Sequence, residues 1–181
     1  MKILETERLI LRTWDLEKDL PVWTEIVSDP KVMEFFVKLG DEEEAKQFII
    51  SANDYIDKHG FGLFATELKA TNELIGFIGL SINDAKIHST FTPCGEIGWR
   101  LAYKYWGKGY ATEGAKSCIK LGFEKYKMKE IIATTSVQNV NSRRVMEKLG
   151  MSHDSNDDFD HPEIAKDHPL SRHMLYRIKI S

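Results

Sequence analysis

The sequence predicts one α+β domain, with helices flanking a mixed and mostly antiparallel central sheet, and three observations support this. The chain has 181 residues, a length that suits a single domain with its own core. It shows no clear repeat and no linker rich in glycine, serine or proline, so one domain is expected over residues 1–181. The order of patterns is strand, two helices, three strands, helix, strand, helix and terminal strands, which is an α+β arrangement.

The first half of the chain predicts one strand and two helices. Residues 8–13 are short and aliphatic, as in a strand. Asp15 can cap a helix that runs to about Val27. Residues 41–44 then place acidic side chains on the first turn of a second helix, where the helix dipole favours them. Gly60 is expected to end this second helix.

A hairpin and a third strand are expected next. Residues 61–68 and 73–80 are apolar runs typical of strands, and four turn-prone residues, 69–72, join them. Residues 96–101 alternate between polar and apolar and predict a further strand of this group.

The second half predicts two helices and two strands. Apolar residues recur at helical spacing from Ala111 to Tyr126, and the opposite face is charged. The β-branched run 131–137 predicts a buried strand, and 142–149 a short helix that Gly150 ends. The alternating tail, residues 174–180, is expected to close the sheet.

Composition excludes several classes of protein. The chain has 25 basic and 28 acidic residues and a net charge of −3, which argues against general nucleic-acid binding, although a local basic patch at residues 125–129 stays open. Its apolar runs are far shorter than the roughly 20 residues that span a bilayer. The start lacks a secretory signal, and the two cysteines, Cys94 and Cys118, show no metal or disulfide spacing. We expect a soluble, cytoplasmic protein.

The most informative segment is 106–113, which lies between a predicted strand and a predicted helix. Its glycines, Gly107 and Gly109, leave N–H groups uncovered at the positive end of a helix, an arrangement suited to phosphate or pyrophosphate. The alternative is that they only let the chain turn. A Walker loop is absent, and Thr112 stands where the dinucleotide fingerprint needs a third glycine.

Four segments in this order resemble the GNAT superfamily of N-acetyltransferases, and most closely its ribosomal-protein N-terminal (RimJ/RimL-like) branch. They are residues 96–101, 106–113, 139–142 and 145–151. The order of elements matches over almost the whole chain. The resemblance implies a GNAT-type fold and a transferase that uses acetyl-CoA as donor.

The resemblance also implies where the cofactor binds. Main-chain groups of the β-strand residues Trp99, Arg100 and Leu101 would pair with the pantetheine arm like an added strand, and an N–H on that strand would polarise the thioester carbonyl. Asn139 and Ser142 match the region that contacts the cofactor arm. The family's pyrophosphate motif falls on residues 106–111, with Trp106 in place of the usual Gln or Arg. The amides expected to bind belong to Gly107, Lys108, Gly109, Tyr110, Ala111 and Thr112.

Catalysis needs a base for the attacking amine and an acid for the departing thiol. Glu96 is the candidate base; the alternatives are a surface residue or a partner for Arg100 on the same strand face. Many family members place a tyrosine where this chain has Met146, which cannot donate a proton. Ser142 or a water is therefore expected to act as the acid, unless the thiolate leaves unaided.

Two loops are expected to border the acceptor. Residues 32–36 resemble the branch's first inter-helix loop, although Phe35 and Phe36 could equally be core residues. The acidic segment 152–169 would attract a cationic amine, and its spacings fit no ordinary metal site, so no metal is expected. The predicted acceptor is a primary amine, either a protein N-terminus or a small molecule, and the protein is a monomer or a homodimer. A non-catalytic CoA-binding module is the rival reading.

Overall fold

Helices and strands occupy nearly all the positions that the sequence predicts. The computed structural model describes residues 1–83 and 94–179, and residue 180 of the predicted last strand lies outside that part. The helices in this part are α1 (Leu16–Ser28), α2 (Glu42–His59), α3 (Tyr110–Glu124) and α4 (Val140–Lys148). The strands are β1 (Lys2–Glu5), β2 (Leu9–Arg12), β3 (Leu63–Leu68), β4 (Leu74–Asn83), β5 (Cys94–Leu101), β6 (Glu130–Ser136), β7 (Ser152–His153), β8 (Phe159–Asp160) and β9 (Arg172–Lys179).

The strands form one mixed sheet, which confirms the predicted α+β class. Their order is β1-β2-β3-β4-β5-β6-β9-β7, with β8 also paired to β9. Strands β5 and β6 run parallel, and the other described pairs are antiparallel. The predicted hairpin of residues 61–80 is the β3–β4 pair.

The sheet opens between β5 and β6. Pairing between these two strands is confined to Gly95 with Ile131 and Glu96 with Ile132, although β5 continues to Leu101 and β6 to Ser136. Beyond these pairs no described strand pairs with this side of β5. The two strands therefore diverge and leave a cleft in the middle of the sheet.

The core is divided between the two faces of the sheet. On one face, α3 packs its buried Ala115, Cys118 and Ile119 onto the strands. Gly114 lies so close to Ile78 that a Cβ there would be 2.5 Å from the Ile78 Cδ1 atom, which explains a glycine inside the helix. On the other face, α1 and α2 enclose an aromatic cluster around Trp23, which is fully buried.

The helix ends follow the predicted capping residues. Asp15 accepts hydrogen bonds from the amides of Glu17 and Lys18 at the start of α1. Gly60 ends α2 in the left-handed region, with φ of 76°. None of the described helices is long and apolar enough to cross a membrane.

Three short strands were not predicted. β1 extends the sheet beyond β2, and β7 and β8 come from the acidic segment and pair with β9. Strands of two to four residues carry too few alternating positions to be recognised by periodicity.

Candidate active site

The exposed side of β5 presents backbone groups along the cleft. The amide of Ala102 donates to the carbonyl of Ile75 on β4, at 2.9 Å, and antiparallel bonding then alternates along the pair. By this alternation the N–H and C=O groups of Trp99 and Leu101 face the cleft. An edge of this kind can pair with an extended ligand in the manner of an added strand.

Arg100 differs from its two neighbours. Its register partner is Phe77, so its own N–H and C=O face β4 and are used within the sheet. The predicted role of the Arg100 main chain in holding the cofactor is therefore not favoured by the geometry. Its side chain instead lies on the face covered by α1 and α2.

The start of α3 has open backbone amides, as predicted from the two glycines. Gly107 and Gly109 have φ of 73° and 83°, and no side chain caps Gly109 at the helix start. The first-turn amides of Tyr110, Ala111 and Thr112 have no partner within the helix. Nothing lies within 4 Å of a Cβ built on Gly107, so an anion can approach this turn closely.

Arg8 reaches this turn from the other end of the chain. Its Nε lies 2.6 Å from Glu113 Oε2, its Nη1 donates to the carbonyl of Lys108 at 3.1 Å, and its guanidinium lies 4.5 Å from the centre of the Tyr110 ring. Arg8 was not predicted as a site residue, because about a hundred residues separate it from Gly107 and Gly109 in the sequence.

Glu113 holds Thr6 and Arg8 in place, in addition to carrying a negative charge that the dipole favours at the start of α3. It accepts from the Thr6 hydroxyl at 2.6 Å and from the Arg8 amide at 2.8 Å. Burial, the largest single effect, raises the pKa of Glu113, but these hydrogen bonds and the Arg8 charge together lower it below its ordinary value. Glu113 thus ties the segment between β1 and β2 to α3.

Trp106 closes the end of β5. Its indole N–H donates to the carbonyl of Leu101 at 2.7 Å, and its ring packs against the core on the α3 face. The Leu101 carbonyl therefore already accepts one hydrogen bond from within the chain. On this edge, the backbone groups of Trp99 are the ones most available to a ligand.

Helix α4 starts shortly after the end of β6, the strand on the other side of the cleft from β5. Asn139 caps this helix by accepting from the amide of Ser142 at 3.0 Å, and both side chains are partly exposed. Met146 lies one turn further on and is 1% exposed, within the main core. The position that carries a tyrosine in many relatives is thus a packing position in this protein.

Glu96 sits where the cleft begins. It is partly buried, belongs to the last β5–β6 pair, and accepts from the Thr134 hydroxyl on β6 at 3.0 Å. Among the described residues no ion pair joins Glu96 to Arg100, so the geometry does not favour the alternative of a Glu96–Arg100 partnership. Thr134 was missed because only the fold brings β6 beside β5.

A cavity of about 290 Å³ lies on the α1–α2 face. Arg100, Trp23 and Phe36 line it, so the predicted inter-helix loop does border a pocket. The guanidinium carbon of Arg100 lies 3.9 Å from the centre of the Phe36 ring. Burial lowers the pKa of Arg100 to about 10.

The acidic segment is largely paired within itself and with β9. Asp158 contacts His153 at 2.7 Å, Asp160 contacts Arg172 at 3.3 Å, and Asp157 bonds to Arg177. These partners remove much of the charge on which the predicted attraction of a cationic amine depended. Among residues 1–83 and 94–179 there is no group of three or more His, Cys, Asp or Glu side chains placed to hold a metal.

A split sheet with a free strand edge and an uncapped helix start on one side of the cleft defines a coenzyme-A-dependent acyltransferase of the GNAT class. The comparisons agree: the family model described as the acetyltransferase (GNAT) domain matches residues 8–152. The chain belongs to this family of acetyltransferases and is an enzyme of N-acetyltransferase type, as its sequence resemblance predicted.

Similar proteins lead to the same class. The uncharacterised N-acetyltransferase YnaD of Bacillus subtilis (strain 168) is 34% identical over 150 residues, which cover 82% of this chain and 81% of that protein. The acetyltransferase (GNAT family) from Bacillus anthracis is 31% identical, with a TM-score of 0.79 over 99% of this chain and 98% of that one. RimL, the ribosomal L7/L12 alpha-N-protein acetyltransferase solved with coenzyme A, has the same fold: TM-score 0.76 and 15% identity over 99% of this chain and 98% of that one.

Proposed function

We propose that this protein transfers an acetyl group from acetyl-CoA to a primary amine by direct attack within a ternary complex. The observation that carries the proposal is the meeting of two binding elements at one cleft. The free edge of β5 leads directly, through a short turn, to the uncapped amides of α3. From Leu101 back to Ile97 this edge is about 13 Å long, which suits an extended arm.

Different residues around the cleft bind different parts of the donor. Amides from Gly107 to Thr112 hold the diphosphate, with Arg8 and Lys108 adding positive charge near it. Trp99, and Leu101 with it, pairs with the pantetheine arm, whereas Arg100 does not. Asn139, at the start of α4, contacts the arm from the opposite side through its side-chain NH₂ group.

Trp99 has a second role in this proposal. It is the first residue beyond the last β5–β6 pair whose N–H faces the cleft with no described partner. A fixed N–H at this point stabilises negative charge that develops on the thioester oxygen as the amine attacks. The donor supplies the activated acetyl group, and the chain supplies position and charge.

Glu96 accepts a proton from the attacking amine, directly or through a water molecule. Its position at the apex of the cleft supports a role at the thiol end of the arm, and its carboxylate accepts a hydrogen bond from the Thr134 hydroxyl. Ser142, partly exposed at the start of α4, relays a proton from solvent water to the departing thiolate and regains its own hydroxyl proton in the same step, because buried Met146 cannot supply one.

The test is acetyl transfer to a panel of primary amines that contains N-terminal peptides, diamines and amino acids, followed by thiol release and by mass spectrometry of the products. The RimL structure carries the name of a protein α-amine acetyltransferase, so N-terminal peptides belong in this panel. Acetylated amine together with released CoA is the expected result. CoA binding without thiol release for any acceptor would overturn the proposal in favour of a binding module.

A further inference from the structure

We propose that the acceptor is an amino acid with an apolar side chain, bound through its carboxylate by Arg100, with the apolar group in the cavity beside α1 and α2. This inference rests on the proposed function and specifies its acceptor. It is carried by an arginine that is largely removed from water and has no anionic partner among the residues that the structure describes.

The guanidinium of Arg100 lacks the partner that a buried charge normally has. Its Nε is buried and forms no hydrogen bond, and no carboxylate of the described residues forms an ion pair with it. Arg12 differs, because it bonds to Asp19 and Glu67 at 2.7 Å and 2.9 Å. Because an uncompensated buried charge is costly, a ligand anion at Arg100 would be strongly favoured.

Aromatic rings hold this side chain in place. The guanidinium carbon lies 3.9 Å from the centre of the Phe36 ring, 5.8 Å from that of Trp23 and 5.9 Å from that of Phe77. A guanidinium stacked on a ring keeps its plane fixed and its edge available. A planar carboxylate matches that edge with two parallel hydrogen bonds.

The cavity beside Arg100 selects the rest of the ligand. Its volume is about 290 Å³, and most of its lining is apolar, with Val27, Met33 and Phe48 among the contributors. The one carboxylate in the lining, Glu44, is bonded to Lys38 and does not neutralise Arg100. Trp23 adds a buried indole N–H without a partner among the described residues. A single anionic group with an apolar substituent fits these surroundings better than a phosphate dianion, which needs more donors.

The position of Arg100 on β5 connects this pocket to the reaction. Alternation along the strand places Glu96, Gly98 and Arg100 on the same face. Gly98 leaves open space between the two charged residues, since a Cβ there would meet nothing closer than Phe77 Cε2 at 3.7 Å. With its carboxylate on Arg100, a ligand can therefore extend over Gly98 toward Glu96, and a water molecule completes the path for the proton between its amine and Glu96.

The experiment compares acceptors that differ only in the carboxylate. Phenylalanine and methionine are each tested against their amides and decarboxylated amines, and the peptide Asp-Phe-amide tests an acidic side chain as the source of the anion. We expect the free amino acids to have the highest kcat/KM. Acetylation of the amides or amines with equal or higher kcat/KM overturns the inference while leaving the acetyltransferase function in place, and preference for Asp-Phe-amide overturns the amino-acid assignment.

Variants locate the effect at Arg100. In Arg100→Gln, the ratio of kcat/KM for phenylalanine over its amide should fall roughly tenfold to a hundredfold, the range expected for lost charge-assisted hydrogen bonds. In Arg100→Lys, which keeps the charge but loses the planar guanidinium, the same ratio should lie between the values for Arg100→Gln and the wild type. Lys31→Gln is the matched control, because Lys31 also stacks on a ring, that of Tyr103 at 4.5 Å, outside the cavity lining. An unchanged ratio in Arg100→Gln contradicts the inference.

A binding measurement keeps the inference testable if no amine is acetylated. The unreactive probe 3-phenylpropanoate is titrated into the wild type and into Arg100→Gln, with tryptophan fluorescence as the readout. Saturable binding that the variant weakens at least tenfold supports the pocket even if the proposed function fails. Equal binding to both proteins, or no binding to the wild type, overturns it.

Discussion

At the scale of single residues, Gly109 shows how one backbone angle exposes the amides at the start of a helix. Its left-handed conformation turns the chain into α3 and leaves no side chain over the first amides. A Cβ at this position would lie 3.4 Å from the Arg8 Nη2 atom, on the side from which positive charge approaches the turn. The same angle occurs at Gly150 after α4, with φ of 76° and no atom near.

We expect Gly109→Leu to abolish measurable CoA binding at concentrations that saturate the wild type, because the side chain blocks the approach of the diphosphate to the amides. Isothermal titration calorimetry with CoA measures this. Gly150→Leu is the control, since it carries the same strain of about 1–2 kcal/mol for a left-handed residue. Unchanged affinity in Gly109→Leu would place the diphosphate elsewhere.

A second prediction at the scale of single residues concerns Glu96. Glu96→Gln should lower kcat about a hundredfold or more, as expected for loss of a general base, and should remove the acidic limb of the pH–rate profile. Thr134→Val, which removes only the hydrogen bond to Glu96, should shift that limb with a smaller loss of kcat. A Glu96→Gln enzyme with the wild-type profile would exclude Glu96 as the base.

At the scale of elements, the start of the chain supports the turn before α3. Thr6 and Arg8 lie between β1 and β2 and bond to Glu113 in the first turn of the helix. These contacts hold Arg8 beside Lys108 and Tyr110. A carboxylate in a helical first turn thus fixes a cation that belongs to a distant strand pair.

Glu113→Gln should destabilise the protein by about 1–3 kcal/mol at pH 7, the cost of losing charge-assisted hydrogen bonds in a partly buried site. Because the folded protein lowers the pKa of Glu113, its contribution is present above the ordinary value of 4.5 and is lost as pH falls below it. Urea unfolding at pH 7 and pH 3 measures this difference.

The matched control for this measurement is Glu124→Gln. Glu124 lies on the same helix, and its exposed pair with Lys120 has a distance of 3.9 Å, so the change should cost well under about 1 kcal/mol. An equal loss in both variants, or a Glu113→Gln effect that does not shrink at pH 3, would show that Glu113 does not anchor Arg8 through its charge.

At the scale of the whole molecule, neighbouring described strands pair throughout the sheet, except where β5 and β6 diverge and leave the cleft. Strands on both sides of the cleft are paired with antiparallel neighbours, β4 for β5 and β9 for β6. The N–H and C=O groups of Trp99 and the N–H of Leu101 therefore have no described strand partner within an otherwise bonded sheet. Since an interior sheet edge is a strong template for pairing, we expect ligand binding there to complete the sheet.

Addition of CoA should slow amide hydrogen exchange in peptides covering residues 97–101 and 107–113, because the ligand pairs with the first segment and covers the second. Peptides from β3, which is bonded on both sides by β2 and β4, should change little and serve as the internal control. Mass spectrometry of deuterium uptake measures both. Protection confined to the cavity residues 33–40 would contradict the assigned cofactor site.

Local patterns were sufficient to predict the long elements and the start of α3. Asp15, Asp41 and Gly60 act on neighbouring residues, so their effects can be identified within a few positions of the chain. The same holds for Gly107 and Gly109. In contrast, β1, β7 and β8 depend on pairing with strands that lie elsewhere in the sequence.

The amino-acid sequence by itself thus determined the fold class, the order of elements and the glycine turn before α3, since each depends on short-range backbone preference and hydrophobic periodicity. The tertiary structure alone decided which edge of β5 lacks a described strand partner, that Arg8 reaches the glycine turn and that Thr134 bonds to Glu96. It also decided that Arg100 lines a cavity with no anionic partner in the described ranges. These features arise when strands and helices distant in the chain pack together, because hydrogen bonds, ion pairs and desolvation depend on distances that sequence spacing does not contain.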